Sequence, residues 1–184
     1  MYMIRCMILF FSVLCLPACG RAMDYLAFKS LDAKTRQTLE ERYVRQTKDG
    51  LWTVSVSVYI IKTNISRAFS LDMAFFMDNF YRKFNQVFIG GVRINRKPRV
   101  YVFKDKDQYR SFLSKKNINA GWSHGMYIPA WQFLVTFMSD RDRLERILFH
   151  EGTHQLMHAY IGTRIPVWLN EGMATNFETW NIYR

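Results

Sequence analysis

The segment from residue 141 to residue 162 constrains the fold most, because its composition is that of one long helix that ends at Gly162. His150 and His154 lie four residues apart inside it. At about 3.6 residues per turn, both imidazoles lie on one face of the helix, one turn apart. Two imidazoles placed in this way can bind one small cation, so the pattern predicts a metal site. The alternative is a helix whose polar side chains simply face solvent.

Two glutamates complete the predicted site. Glu151 directly follows His150 and is rotated from it by about 100° around the helix axis. It can therefore lie beside the cation without binding it, where it would take a proton from a water molecule. Glu171 lies in a second helical segment, which Pro166 is expected to begin. A helix–turn–helix would bring the Glu171 carboxylate to the same cation and leave a fourth coordination position open.

Three further residues are weaker candidates for the site. His158 lies one turn beyond His154 and is too far along the helix to share a tetrahedral metal ion, so we expect it to be solvated or to contact a ligand side chain. His124 lies in a glycine-rich loop and could assist an oxyanion, or it could have no role. Glu178 lies two turns after Glu171 and could orient a ligand histidine, although a surface carboxylate is commoner.

The rest of the sequence predicts an α+β fold with helices packed on one small mixed sheet. Residues 20–50 are expected to form a helical N-terminal lead-in, and residues 51–184 the main domain. The expected helices span residues 30–50, 67–88, 106–116, 141–162 and 167–180. The expected strands span residues 52–60, 99–104 and 131–138, with a loop or an irregular edge over residues 119–130. We expect Trp168 and Leu169 to pack the last helix against the helix before it.

The first nineteen residues have the three-part pattern of a secretory signal: a short start with one arginine, an apolar run, and a small polar end. "LPAC" at residues 16–19 also resembles a bacterial lipobox, which would lipidate Cys19 and attach the protein to a membrane. Ordinary cleavage after Gly20 or Ala22 is the other possibility, and a buried N-terminal helix is a third. The protein is accordingly expected to be exported, as a periplasmic, envelope-anchored or secreted protein.

All three cysteines, at positions 6, 15 and 19, lie in this leader. An exported chain would therefore have no disulfide after cleavage, and its metal ligands would have to be histidine or carboxylate side chains. The formal net charge is +11, with a basic cluster over residues 93–116. No aromatic-interleaved nucleic-acid motif accompanies this cluster, so we expect a solvated basic face and no nucleic-acid partner.

"HEGTH" at residues 150–154, followed by "WLNEG" at residues 168–172, resembles the gluzincin metallopeptidases. The chain is more closely similar to bacterial peptidase-MA-like domains, whose substrates are largely unknown. The resemblance extends over about residues 52–180. It includes the strand and helix that begin at Trp52, and "VYVFKDKDQYRSFL" at residues 100–113.

The resemblance implies a zincin-like fold and a zinc-dependent hydrolase of peptide or protein substrates. It implies His150, His154 and Glu171 as zinc ligands and Glu151 as the general base. It also implies that the strand near residues 131–138 offers an edge to an extended peptide.

Two departures from the family pattern matter. Many thermolysin-like enzymes have an aspartate four residues after the third ligand, where this chain has Thr175. Gluzincins also usually continue into a helical region that supplies an oxyanion-stabilising tyrosine or histidine, whereas few residues follow Glu171 here. The chain is then either part of a longer protein or a minimal or inactive member. The alternative function is a non-catalytic exported or lipid-anchored envelope protein with a vestigial or structural zinc site.

The leader generates the first testable prediction. Cells should remove about the first eighteen to twenty-two residues, because the pattern is that of a cleaved signal. If Cys19 is lipidated, Cys19→Ser should release the protein from membranes, as measured by fractionation and by mass spectrometry of the mature N-terminus. A cytoplasmic protein that still begins at Met1 would contradict both forms of the prediction.

Overall fold

The computed structural model describes residues 24–55, 58–88, 91–92, 94–162 and 164–180; the predicted signal and Cys19 lie outside them. The helices are α1 (Tyr25–Lys29), α2 (Ala33–Tyr43), α3 (Arg67–Val87), α4 (Lys106–Ser114), α5 (Arg141–Ile161) and α6 (Val167–Glu178). The strands are β1 (Val44–Gln46), β2 (Trp52–Val54), β3 (Ile60–Thr63), β4 (Arg99–Phe103), β5 (Gly125–Ile128) and β6 (Phe133–Phe137).

All six strands form one mixed sheet in the order β1-β2-β3-β4-β6-β5. The β3–β4 and β4–β6 pairs are parallel, and the other three pairs are antiparallel. Each parallel pair needs a long crossover, which contains α3 in one case and α4 in the other. The predicted α+β class with one mixed sheet is therefore confirmed.

Helix α5 lies in the core because apolar side chains surround its middle turns. Phe149 stacks on Phe76 with ring centroids 5.2 Å apart, and lies 5.1 Å from the Phe80 ring. Both partners belong to α3, whose apolar stripe is buried except at Val87, which is 51% exposed. A Cβ atom added at Gly152 would lie 2.8 Å from Cε1 of Phe80, so only glycine allows this close approach.

Capping and an ion network fix the start of α5. Asp140 caps the helix, since its carboxylate accepts a hydrogen bond from Arg143 N. Arg141 bonds the Asp72 carboxylate of α3 at 2.6 Å and the Tyr25 hydroxyl of α1 at 2.8 Å. The same arginine also pairs with Glu145. The N-terminal lead-in is thereby attached to the core helices.

The expected helix over residues 30–50 is wrong in its second half. The helix ends at Tyr43, and Val44 begins a strand that pairs with β2. Val44 is buried opposite Val54, and a turn closed by Thr47 and Leu51 returns the chain. Burial of this valine in the sheet outweighs the charged, helix-favouring composition around it.

The single strand expected over residues 52–60 is also wrong. The structure has two strands, β2 and β3, paired antiparallel with Trp52 opposite Thr63. Between them Tyr59 is buried, and Val58 N donates to the buried Asp78 carboxylate at 3.0 Å. This hydrogen bond holds Val58 against α3. An alternating pattern of apolar residues does not predict such a long-range contact.

Residues 119–130, expected to be a loop or an irregular edge, contain strand β5. Strand β6 lies between β4 and β5, so the expectation that residues 131–138 form a sheet edge is wrong. Of the two strands at the edges of this sheet, β5 lies beside α5, and its Gly125 is so close to Ile147 of α5 that an added Cβ would collide with it. The edge next to α5 is therefore the segment that carries Tyr127.

Helix α6 begins after Pro166 as expected, but different residues pack it. Trp168 is 75% exposed, which contradicts its expected packing, and Leu169 is only partly buried. Ala174 and Phe177 face the core instead. Within the described ranges, no helix is both long and apolar enough to cross a membrane.

The close packing at Gly152 gives a stability prediction with a matched control. Alanine favours a helix by about 1 kcal/mol, but at Gly152 overpacking against Phe80 should cost roughly 1–3 kcal/mol. Gly172 of α6 has open space around its Cα, so Gly172→Ala should simply stabilise the protein. Urea denaturation with a chelator present should find Gly152→Ala less stable than Gly172→Ala by about 1–3 kcal/mol. Equal stabilisation by both changes would contradict the close approach.

Candidate metal centre

Helix α5 presents His150 and His154 side by side at the boundary between core and solvent. Their rings lie nearly perpendicular, with centroids 4.8 Å apart. The side chains are 26% and 13% exposed, so packing restricts their rotamers while one edge of each ring stays accessible. The spacing in the sequence therefore produces the shared face that it predicts.

Helix α6 brings Glu171 to the same place. One carboxylate oxygen lies 3.6 Å from Nε2 of His150, and the other lies 3.6 Å from Nε2 of His154. Phe177 positions the helix, because its ring packs 4.9 Å from Phe84 and 6.1 Å from Phe80 of α3. Core packing two turns away thus sets the position of the carboxylate.

The three side chains form a group that could hold a metal ion. One ligand atom from each lies within 4.8 Å of the others. Two ligands at tetrahedral angles around a zinc-sized ion are about 3.4 Å apart, close to the 3.6 Å separations observed here. Two imidazole nitrogens and one carboxylate oxygen also suit a divalent transition metal. The donor atoms are therefore those of a possible metal site, and separations of up to 4.8 Å would have to shorten around one ion.

Glu178 contacts the side of His150 that faces away from Glu171. Its Oε2 lies 3.3 Å from Nδ1 of His150, while Nε2 of that ring faces Glu171. A carboxylate at Nδ1 favours the tautomer with the proton on Nδ1, which leaves Nε2 as an acceptor for a metal. Nδ1 of His154 is buried and has no hydrogen-bond partner in the described part of the chain.

Glu151 does not join the ligands but bonds the edge strand. Its Oε2 accepts a hydrogen bond from Tyr127 N at 2.7 Å. Burial raises the pKa of Glu151 above its ordinary value. The Tyr127 N–H and the Coulombic interaction with His154 oppose that rise, because both favour the ionised carboxylate. The group is thus held next to the ligands in a partly desolvated position, as a general base requires.

The other two candidate histidines lie outside the ligand group. Nε2 of His124 accepts from Arg143 at 2.8 Å, and its ring stacks on Phe137. Burial and the charge of Arg143 lower the pKa of His124. Nδ1 of His158 lies 2.7 Å from the Tyr127 hydroxyl. Neither histidine contacts the three ligands within the part of the chain that is described.

Tyr127 is the site residue that the sequence reasoning missed. Its backbone holds Glu151 and its hydroxyl holds His158, so it contacts two residues that lie about two turns apart on one face of α5. Its segment was expected to be a loop or an irregular edge, and no motif marks it. Pairing of Tyr127 with Leu134 of β6, rather than any local propensity, makes it part of a strand.

In comparisons with protein families, with curated proteins and with solved structures, no match to this chain is found. The function proposed below therefore rests on the geometry of the site and on the resemblance in sequence.

The site generates a metal-binding prediction. The purified protein should bind one divalent transition-metal ion per chain, and His154→Ala or Glu171→Ala should abolish stoichiometric binding because each removes a ligand. His124→Ala is the control and should keep the metal. Glu178→Gln should weaken binding by about 10–100-fold, because it removes the partner of a ligand histidine. Elemental analysis after dialysis tests this, and a metal-free unmodified protein would contradict it.

Proposed function

We propose that this protein is a zinc-dependent peptide-bond hydrolase of the gluzincin type, with a zincin-like fold. The observation that carries the proposal is the convergence of His150, His154 and Glu171, with Glu151 held beside them on the edge strand. One helix thus supplies two ligands and a base, and the next helix supplies the third ligand. Residues 51–184 would be the catalytic domain, and residues 20–50 its lead-in.

The ligand set favours a catalytic site over a structural one. Structural zinc sites are closed by four protein ligands, whereas the group found among the described residues has three. Glu171 is also 53% exposed, which leaves access from solvent. Zinc bound here would supply a Lewis acid that polarises a carbonyl and makes a nearby water more acidic.

The protein's own groups would perform the proton transfers. Glu151 would take a proton from the attacking water and pass it to the leaving amine. Its Oε2 is held by Tyr127 N, so the other carboxylate oxygen remains to receive the proton. Desolvation of this carboxylate makes it a stronger base than an exposed glutamate, which suits that role.

The edge strand would bind the substrate backbone. Strand β5 is the last strand of the sheet, and its residues are half-buried beside α5. An extended peptide can pair with such an edge through main-chain hydrogen bonds, independently of most side chains. We accordingly propose a peptide or protein substrate and no nucleic-acid partner.

Export remains part of the proposal. A cleaved or lipidated leader would place the protein in the periplasm, on the envelope or outside the cell. The alternative function is a non-catalytic envelope protein that keeps the metal site without turnover. The partial exposure of Glu171 is compatible with either function, so the two must be separated by activity.

Replacing Glu151, the proposed general base, distinguishes the catalytic function from the non-catalytic one. Glu151→Gln should keep the fold and the metal but reduce peptide hydrolysis by about 10²–10⁴-fold, because an amide cannot accept the proton. Glu40→Gln of α2, a glutamate outside the site, is the matched control and should leave hydrolysis unchanged. Cleavage of a broad peptide library by the zinc-loaded proteins, read by mass spectrometry, is the measurement.

If the unmodified protein cleaves no peptide faster than Glu151→Gln, the peptidase proposal is wrong for this chain. The non-catalytic function would then replace it. Metal content and circular dichroism of both variants must match those of the unmodified protein, so that loss of folding is not mistaken for loss of the base.

A further inference from the structure

A cavity lies beside the C-terminal half of α5, beyond the ligand group. It encloses about 260 Å³ and is lined by residues of α5, of β5 and of the connection before β4. His158 and Gln155 face it from α5, Tyr127 from β5, and Asn95 and Arg96 from that connection. This volume accommodates one amino-acid side chain rather than a large cofactor.

Tyr127 joins this cavity to the catalytic base. Its backbone N–H bonds Glu151, and its hydroxyl, which lines the cavity, lies 2.7 Å from Nδ1 of His158. Seven residues of helix separate Glu151 from His158, a distance of about 10 Å along the axis. An extended peptide covers that distance in about three residues. The cavity is therefore within reach of a substrate that is cleaved at Glu151.

The cavity is rich in hydrogen-bond donors, and none of the described residues that line it is acidic. Burial raises the pKa of Tyr127 to about 12, so the phenol keeps its proton and can donate it to Nδ1 of His158. With Nδ1 accepting from the phenol, the ring presents an N–H donor at Nε2. Arg96 adds a guanidinium for which the described structure gives no carboxylate partner.

The basic character continues beyond the cavity. A neighbouring cavity shares Arg96 and Gln132 with it and is also lined by Arg99 and Lys116. Arg96, Arg99 and Lys116 belong to the basic cluster over residues 93–116. The proposed catalytic chemistry does not use this cluster. The positive charge is thus concentrated next to one end of the site, where it attracts anions.

Gln155 gives independent support for a ligand. It is only 3% exposed, and its Nε2 points to the carbonyl oxygens of Gln132 and Arg99, at 3.3 and 3.5 Å. These two acceptors fix the orientation of the amide, because a flipped amide would place oxygen against oxygen. Its Oε1 is then a buried acceptor with no hydrogen-bond partner among the described residues, which calls for a donor such as a ligand N–H.

We propose that this cavity is a substrate subsite that binds a carboxylate, with Arg96 and His158 as donors, about three residues from the cleaved bond. The carboxylate is either an Asp or Glu side chain or the C-terminus of the peptide. The backbone N–H beside that carboxylate would bond Oε1 of Gln155. This inference rests on the proposed peptidase function and adds to it a preference for acidic peptides.

Binding can be tested separately from cleavage. The zinc-loaded Glu151→Gln variant is titrated with fluorescent eight-residue peptides of neutral residues, blocked at both ends, in which each position in turn is Glu, Gln or Lys. A second set has a free C-terminal carboxylate. At one position, Glu should bind at least about tenfold more tightly than Gln, since bonds to charged groups are strong.

Three substitutions test whether Arg96 causes the preference for Glu over Gln. Arg96→Glu should abolish the preference for Glu, and Arg96→Lys should keep part of it, because lysine retains the charge but not the planar fork. Arg110→Glu on α4 is the matched control: it changes the net charge equally at an exposed residue that lines neither cavity, and it should keep the preference. A preference only for the free C-terminus would identify that group as the source of the carboxylate.

Equal binding of all Glu and Gln peptides, with no gain from a free C-terminus, would overturn the subsite, as would equal losses in Arg96→Glu and Arg110→Glu. The outcomes also separate this inference from the proposed function. Arg96-dependent binding of acidic peptides without cleavage by the unmodified protein would refute the peptidase and keep the subsite. Cleavage by the unmodified protein with no preference for acidic peptides would refute the subsite and keep the peptidase.

Discussion

The packing of α5 against α3 is the constraint on which the rest of the site depends. Gly152 lies between the two ligand histidines, and its lack of a side chain lets Phe80 approach the helix backbone. The same face carries Phe149, stacked between the aromatic rings of α3. Because one face of the turn is fixed in the core, the opposite face must present His150 and His154 toward α6 and the sheet edge. The rigidity of the ligands therefore derives from the core.

The other parts of the site are positioned by elements that contact α5 from two sides. On one side, α6 brings Glu171 and Glu178 to the two rings. On the other side, β5 bonds the base through the backbone of Tyr127. In the proposed function, two helices and one strand thus position the metal ligands, the base and the substrate edge, which are the parts that metal-assisted hydrolysis requires. The donor-rich cavity beside β5 would add the proposed preference for acidic peptides.

The long, strongly patterned elements could be predicted from the sequence. The helix that begins at Arg67, the helix that ends before Gly162 and the central strand at Arg99 all occur as expected, because their periodicity and caps are local signals. The shared face of His150 and His154 follows from the same periodicity. Glu171, expected on the helix that begins after Pro166, lies beside both histidines. By contrast, the strand at Val44, the break after Val54 and the strand around Tyr127 depend on pairing with distant residues, which local composition does not encode.

In the proposed function, three side chains from two helices bind one zinc ion and leave a fourth position open. X-ray absorption spectroscopy at the zinc edge of the purified, zinc-loaded protein tests this most directly. We expect a four-coordinate site with two imidazoles and only nitrogen or oxygen ligands, at about 2.0–2.1 Å, and no such spectrum from His154→Ala, which should bind no stoichiometric zinc. A spectrum with sulfur ligands or without imidazole, or the same spectrum from His154→Ala, would contradict it.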